Sequence, residues 1–351
     1  MNYIVRTICK VCAWILGSLF VLAGSAAALI FYMNAAPQDG AKTTSTVTSL
    51  DTGEVRLEVR EGESASSVGM RLEEANLIKQ YYAWQLLCHL RPAYLQAGMY
   101  QFKEKCSLIE LHTLFTSGQQ ILLSITIPEG STLKKTAMLL EKDDICTAED
   151  FLAAARNDKL LHEYHIYGNS FEGFLYPDTY YFTVHYPANL VVRTMADTFY
   201  RRLKTLDIDV TAYSAEDFYA KVTLASIIER EYRIEDEAPL MAGVFLRRLK
   251  TGMRLESCAT VVYVMTELLN QPHPKKIFHR DLELESPYNT YMHRGLPPSP
   301  IAAPGAIALQ AAFFPTETDY LFFRIIDPSA GRHYFSKTFD DHIKAGALFI
   351  K

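Results

Sequence analysis

Two carboxylates flank an arginine at the end of an apolar run, Leu224-Ala225-Ser226-Ile227-Ile228-Glu229-Arg230-Glu231. A carboxyl group beside Ile and Ala is partly desolvated. That raises its pKa and keeps it protonated near neutral pH, the state a general acid needs. Tyr219 to Tyr232 contains no Pro or Gly and spaces Val222, Leu224, Ala225, Ile227, Ile228 and Tyr232 as the apolar stripe of a half-buried helix. At about 100° per residue Glu229 and Glu231 fall on opposite flanks of that stripe, so periodicity does not choose between them. The ordinary role of a helical Glu is a solvated surface charge.

A second group of acids lies in Ser170-Phe171-Glu172-Gly173-Phe174-Leu175-Tyr176-Pro177-Asp178-Thr179-Tyr180. Rings beside carboxylates suit a sugar-binding cleft, with ring faces stacking on pyranoses and acids accepting hydroxyl protons. The same letters also describe a core strand and turn whose rings only pack. Glycosidic cleavage fits these acids. It uses two carboxylates when water is the nucleophile, and one when the glycan supplies its own hydroxyl, because a single Glu then serves as acid and afterwards as base. Other chemistries lack their signatures: no Gly-rich phosphate loop, HExxH or G-x-S-x-G is present. His162 and His165 have no third-ligand context, so they read as surface residues. No metal and no cofactor are expected.

The chain that must position these residues has 351 residues, 49% of them hydrophobic, and a formal charge of −5. That is enough for one large or two to three small domains, and it leaves no basic footprint for nucleic acid. Val11 to Met33 carries no charge and is long enough to cross a ~30 Å hydrocarbon layer. A cleaved signal peptide is the competitor, since Ala23 to Ala28 is rich in small residues, but the apolar run continues through Leu29, Ile30 and Phe31. A retained anchor is expected. Arg6 and Lys10 precede the span and Asp39 follows it, so residues 1–10 are placed in the cytoplasm and everything after residue 34 outside it. The six cysteines have no metal-ligand spacing. Cys9 and Cys12 sit at the membrane edge, and sequence cannot pair Cys88, Cys106, Cys146 and Cys258.

Residues 34–53, with Thr, Ser, Gly and Asp from Ala35 onward, read as a flexible tether. Beyond it Val55, Leu57 and Val59 alternate as a strand, Glu61-Gly62 turns, and a helix begins near Ser66 or Ser67. The unit recurs 68 positions on: Glu61-Gly62 aligns with Glu129-Gly130, Met70 with Met138, Leu72 with Leu140, Glu73 with Glu141, and Leu77 with Ile145. Helices are predicted over Ser107 to Thr116, Thr147 to Leu161, Asn189 to Leu206, Ala238 to Leu249, Val261 to Leu269 and Pro304 to Phe313. Pro272 to Pro298 reads as a long functional loop. Tyr320 to Ile326 and His333 to Ser336 read as a terminal hairpin.

Taken in order, LASIIERE, SFEGFLYPDTY, GVFLRRLKTGMRLES, YNTY, GLPPSPIAAPG and YLFFRIIDPSAGRHYFS resemble the YceG-like endolytic murein transglycosylases from about Glu54 to the C-terminus. The resemblance implies an α+β protein: a transmembrane helix, a small LysM-like subdomain over 54–119, and a mainly helical catalytic domain over 120–351 with short sheets and a C-terminal hairpin. It implies non-hydrolytic cleavage of the MurNAc–GlcNAc bond of nascent peptidoglycan to leave 1,6-anhydro-MurNAc ends, on the outer side of the inner membrane and beside peptidoglycan synthases. It also places the acid and base at Glu229, and assigns Glu172, Asp178, Tyr288, Asn289, Thr290 and Tyr291 to cleft shape and sugar contacts. One position departs from the pattern. Cys258 stands where the family usually has Asp. Two alternatives remain at this point: an inactive glycan-binding membrane protein, and a hydrolase in which Glu172 or Asp178 partners Glu229.

Overall fold

The computed structural model describes residues 2–44, 47–50, 53–60 and 62–348; before residue 14 and after 345 it describes backbone only. The chain divides into two compact units, Met1–Leu122 and Leu123–Lys351.

The first unit begins with α1, Asn2–Asn34. Within it Trp14–Asn34 has a mean hydropathy of 2.1 and no buried residue, which by length and composition suits a membrane span. Then come β1 (Val47–Ser49), β2 (Glu54–Val59), α2 (Ala65–Glu74), α3 (Tyr81–Leu90), β3 (Gly98–Lys103) and α4 (Leu108–Ser117). The strands form one antiparallel sheet in the order β1-β2-β3. Val55, Leu57 and Val59 point inward as their alternation predicts, and meet Val68, Leu72, Trp84, Tyr100 and Phe115 in the core. Residues 35–53 are not simply a tether. Val47 is fully buried opposite Leu57, and the Lys42 amide donates to the Ala75 carbonyl at 2.9 Å. Composition reports small polar residues there, whereas the strand is made by a partner that composition does not see.

The second unit comprises β4 (Leu123–Thr126), α5 (Leu133–Lys142), α6 (Ala148–Ala154), α7 (Asp158–Glu163), β5 (Thr179–Phe182), α8 (Ala188–Thr205), α9 (Ala215–Glu231), α10 (Ala238–Lys250), α11 (Cys258–Tyr263), α12 (Ala306–Phe313), β6 (Phe322–Asp327), β7 (Arg332–Ser336) and α13 (Phe339–Leu348). β4 pairs with β5, and β6 with β7 as the expected hairpin. The helix expected over Thr147 to Leu161 is two helices, because the Asn157 side chain accepts from the Lys159 and Leu160 amides and starts α7 afresh. The helix expected over Val261 to Leu269 begins earlier, at Cys258, and passes into a wider π-type turn over Val264–Leu268. α13 was not foreseen.

The recurrence read from sequence is a structural one. Ser64 and Thr132 cap α2 and α5 by accepting the amide three residues on, and each helix runs ten residues. Gly62 and Gly130 turn at φ 71° and 69°, and Asn76 and Asp144 leave the helices at φ 58° and 53°. Leu72 and Leu140 are buried, while Met70 and Met138 are exposed. Glu61 itself lies outside the described residues.

α9 is the axis of the second unit, with α10, α11 and α12 packed on it. Ser214 caps it by accepting from the Asp217 amide at 3.1 Å. Nine of its residues between Phe218 and Ile228 are buried, so it is covered nearly all round and not along one stripe. Its last turn, Glu229 to Glu231, leaves that core. Of the four cysteines whose side chains are described, Cys88, Cys106, Cys146 and Cys258, all are free thiols.

Candidate active site

A cleft of about 790 Å³ opens beside the last turn of α9. Its wall includes Glu129, Lys134, Lys135, Glu229, Arg230, Glu231, Cys258 and Glu267. Three segments meet there. The Ser226 hydroxyl accepts from the Ile301 amide at 2.9 Å, which ties residues 301–305 alongside α9. Ala303 exchanges backbone bonds with the turn before α5, its amide donating to Ser131 at 2.8 Å and its carbonyl accepting from Gly130 at 2.9 Å. The Gly305 amide, at the start of α12, donates to Glu229 Oε2 at 2.9 Å.

Burial is the main force raising the Glu229 pKa, to about 7; the charge of Glu129 adds to it, while the Gly305 amide and Arg230 oppose it. The Arg230 guanidinium is directed to the Gly130 carbonyl at 3.1 Å. Glu231 also reaches the cleft wall and is also raised, chiefly by burial. Its Oε1, however, accepts from the Ser257 hydroxyl at the head of α11. Glu231 is thus committed to holding α11, whereas Glu229 keeps a carboxyl oxygen toward the cleft with a single amide as donor. The two acids that periodicity could not tell apart thus differ in their partners.

The remaining residues singled out in the sequence lie behind the cleft or away from it. Glu172 is 5% exposed and absent from the cleft wall. Its carboxyl accepts from the Leu133 amide at the start of α5 at 3.1 and 3.3 Å and from the Tyr263 hydroxyl at 3.3 Å. Burial pushes its pKa up to about 8. Asp178 pairs with Arg202 at 2.7 Å; burial works to raise its pKa, but Arg202, the Thr179 amide and Arg201 together lower it. The Tyr288 hydroxyl meets Ser299 Oγ at 2.7 Å, and its ring packs on Tyr263. Asn289 is fully buried and donates to the Leu282 and Leu284 carbonyls. Thr290 accepts from the Ser257 amide at 3.0 Å, and the Tyr291 hydroxyl meets Cys258 Sγ at 3.1 Å. Tyr288, Thr290 and Tyr291 thus hold α11 and the residue before it, Asn289 ties down its own loop, and the polar atoms named are used by the protein itself.

The rings of the Ser170 to Tyr180 segment are core. Phe171 and Phe174 are buried, so they offer no face to a sugar. Among the described residues no Phe, Tyr or Trp lines the cleft, whose wall is charged, polar and aliphatic. Among them, too, no three His, Cys, Asp or Glu side chains cluster as metal ligands, and His162 and His165 are exposed. Sequence reasoning gave no functional weight to Glu129, Lys134, Lys135 or Glu267. Glu129 carried a signal, being the acid of the second Glu-Gly turn.

Comparison with known proteins finds relatives over most of the chain. The model of the YceG-like family matches residues 57–347. The endolytic murein transglycosylase of Bacillus subtilis is 29% identical over 318 residues, covering 84% of this chain and 85% of that protein. The endolytic murein transglycosylase of Streptococcus pneumoniae R6 is 26% identical over 318 residues, covering 82% of this chain and 57% of that longer protein. A crystal structure of a YceG-like protein from Listeria monocytogenes superposes with a TM-score of 0.56 at 27% identity, covering 83% of this chain and 98% of the other.

Proposed function

The chain belongs to the YceG-like family, and from that premise we propose that it is a membrane-anchored endolytic lytic transglycosylase of peptidoglycan. The observation that carries the proposal is Glu229: a carboxyl at the wall of an open cleft, held by one amide and shifted toward protonation at neutral pH. A group in that state protonates the glycosidic oxygen between MurNAc and GlcNAc as the C1–O bond breaks. The carboxylate left behind takes the proton of the MurNAc C6 hydroxyl, whose oxygen bonds to C1. The products are a free GlcNAc hydroxyl and a 1,6-anhydro-MurNAc end. No water is consumed, and Glu229 ends protonated as it began.

In this reading Trp14–Asn34 is the anchor, and the charge asymmetry around it supports a cleft on the outer side of the inner membrane. There nascent strands leave their synthases, and those synthases are the expected neighbours. The small sheet and helices of the first unit support a LysM-like, glycan-holding role. Glu172, Asp178 and Tyr288 to Tyr291 shape the cleft from behind. Glu172→Gln, which keeps an acceptor for the Leu133 amide, is therefore expected to retain activity within about threefold. Glu172→Ala strands that amide and the Tyr263 hydroxyl, at a cost of about 2–4 kcal/mol in thermal or denaturant unfolding. A Glu172→Gln enzyme that folds but cleaves nothing would return Glu172 to the chemistry.

Full-length protein in detergent, incubated with purified peptidoglycan, tests the reaction by mass analysis of the released ends. Anhydro ends, lighter than reducing ends by one water, are expected from the wild type and not from Glu229→Gln. One observation favours a second reading, a two-carboxylate hydrolase: Glu129 stands in the cleft with Glu229. Reducing ends would select it, with Glu129 in the place first given to Glu172 or Asp178. No cleavage by folded protein would leave a glycan-binding module.

A further inference from the structure

Glu129 sits on the turn between β4 and α5, exposed at the mouth of the cleft. Its carboxyl comes so close to Gly305 that a Cβ on that glycine would lie 1.9 Å from Oε1 and 2.4 Å from Cδ. The amide of the same Gly305 holds Glu229 Oε2 at 2.9 Å. Gly305 has φ −82°, a conformation open to any residue, so it is the missing side chain that matters there. Two acids from two different elements thus reach one buried glycine. Among the described residues neither acid is in an ion pair. Arg230, Tyr232 after α9 and Tyr176 before β5 interact electrostatically with Glu229, and Lys134, Lys135, Glu231, Arg233 and Glu267 line the same cleft. Arg230 spends a guanidinium nitrogen on the Gly130 carbonyl.

We infer that Glu129 is a positioning residue for the transglycosylation proposed above: placed against the same Gly305 whose amide holds Glu229, its carboxylate keeps the proton on the general acid until the glycan is bound. The inference rests on that proposal for the reaction, but not for the coupling of the two acids. Burial and the charge of Glu129 act on Glu229 in the same direction. Burial alone would favour the proton in any closed pocket, whereas this cleft is open, and a second acid at its mouth supplies what partial burial lacks.

The test is kcat/KM against pH, from 5 to 9, for the full-length protein in detergent. Glu129→Gln is expected to move the alkaline limb down by roughly 0.5–1 pH unit, so that activity falls about two- to fivefold at pH 7 and stays within about twofold at pH 5. Gly305→Ala keeps both acids and the amide but displaces the Glu129 carboxyl, and moves the limb the same way. Glu129→Asp returns it toward the wild-type position. An unmoved limb, or an equal loss at every pH, overturns the inference; if Glu129→Gln does not fold, Gly305→Ala decides alone. A substrate-free readout separates this from the reaction. The stability difference between wild type and Glu229→Gln, followed against pH, reports the Glu229 proton, and its midpoint falls when Glu129→Gln is added to both. That fall without anhydro ends would overturn the reaction and leave the coupling. Anhydro ends without the fall would overturn the coupling alone.

Discussion

Glu229→Gln is expected to lower anhydro-end formation by about 10²–10⁴-fold and, at pH 8, to unfold at a higher temperature than the wild type. The first effect is the loss of a general acid and base whose geometry the amide otherwise preserves. The second follows from proton linkage. Glu229 has a folded pKa of about 7 against an ordinary 4.5. Below pH 4.5 the proton is bound in both folded and unfolded chains, and the stabilising contribution is fully present. As pH rises through 7 the folded protein must give up a proton that the unfolded chain has already lost, and the contribution disappears. Gln never titrates. After discounting for the open face of the cleft, the gap at pH 8 is on the order of 2 kcal/mol, or several degrees in Tm for a unit of this size. At pH 4 the two proteins should melt together. A variant less stable than wild type at both pH values would mean that the side chain packs and does not titrate, and the acid would have to be sought elsewhere on the wall.

What was legible in the sequence was whatever depends on neighbours along the chain. The Glu-Gly turn and its helix were readable twice because Gly62 and Gly130, and Leu72 and Leu140, do local work, a positive φ and a buried face, although the first helix was read from Ser66 or Ser67 and is capped earlier, by Ser64. The hairpin of β6 and β7 was readable for the same reason. Features made by distant partners were not. Val47 becomes a strand residue only because Leu57 lies beside it. The carboxyls of Glu172 and Glu229 both sit next to apolar residues in sequence, yet one is closed in by Leu133 and Tyr263 while the other borders a cleft. Tyr288 to Tyr291 illustrate the same limit. Polar residue types in an ordered loop suggest contacts, but only the fold reveals that Asn289 and Thr290 have already used theirs on Leu282, Leu284 and Ser257.

Gly173→Ala should be among the most damaging single-methyl additions available to this protein, because it presses on the segment that carries the Gly305 amide to Glu229. Gly173 has φ +82°, a region that costs an alanine about 1–2 kcal/mol. The added Cβ would also lie 2.4 Å from Pro300 Cβ and 2.7 Å from its Cγ. A proline ring cannot swing aside, so the chain around residue 300 must shift, a strain of about 1–3 kcal/mol more. Together these lower Tm by roughly 5–15 °C for a unit of this size. The shift has a functional consequence because the segment does not end at Pro300. Ile301 is tied to Ser226, and Gly305 presents the amide that holds Glu229. Displacing it also loosens the acid, so kcat should fall in the fraction that remains folded. Gly252 supplies the control. It has φ +69° but nothing within 4 Å of an added Cβ, so Gly252→Ala pays for backbone conformation alone, about 1–2 kcal/mol, and leaves kcat unchanged. Thermal unfolding and end-release rates of the two variants, side by side, separate backbone strain from the clash. Equal losses in both would mean that Pro300 yields, and that the strap beside α9 is softer than its hydrogen bonds to Ser226 and Glu229 imply.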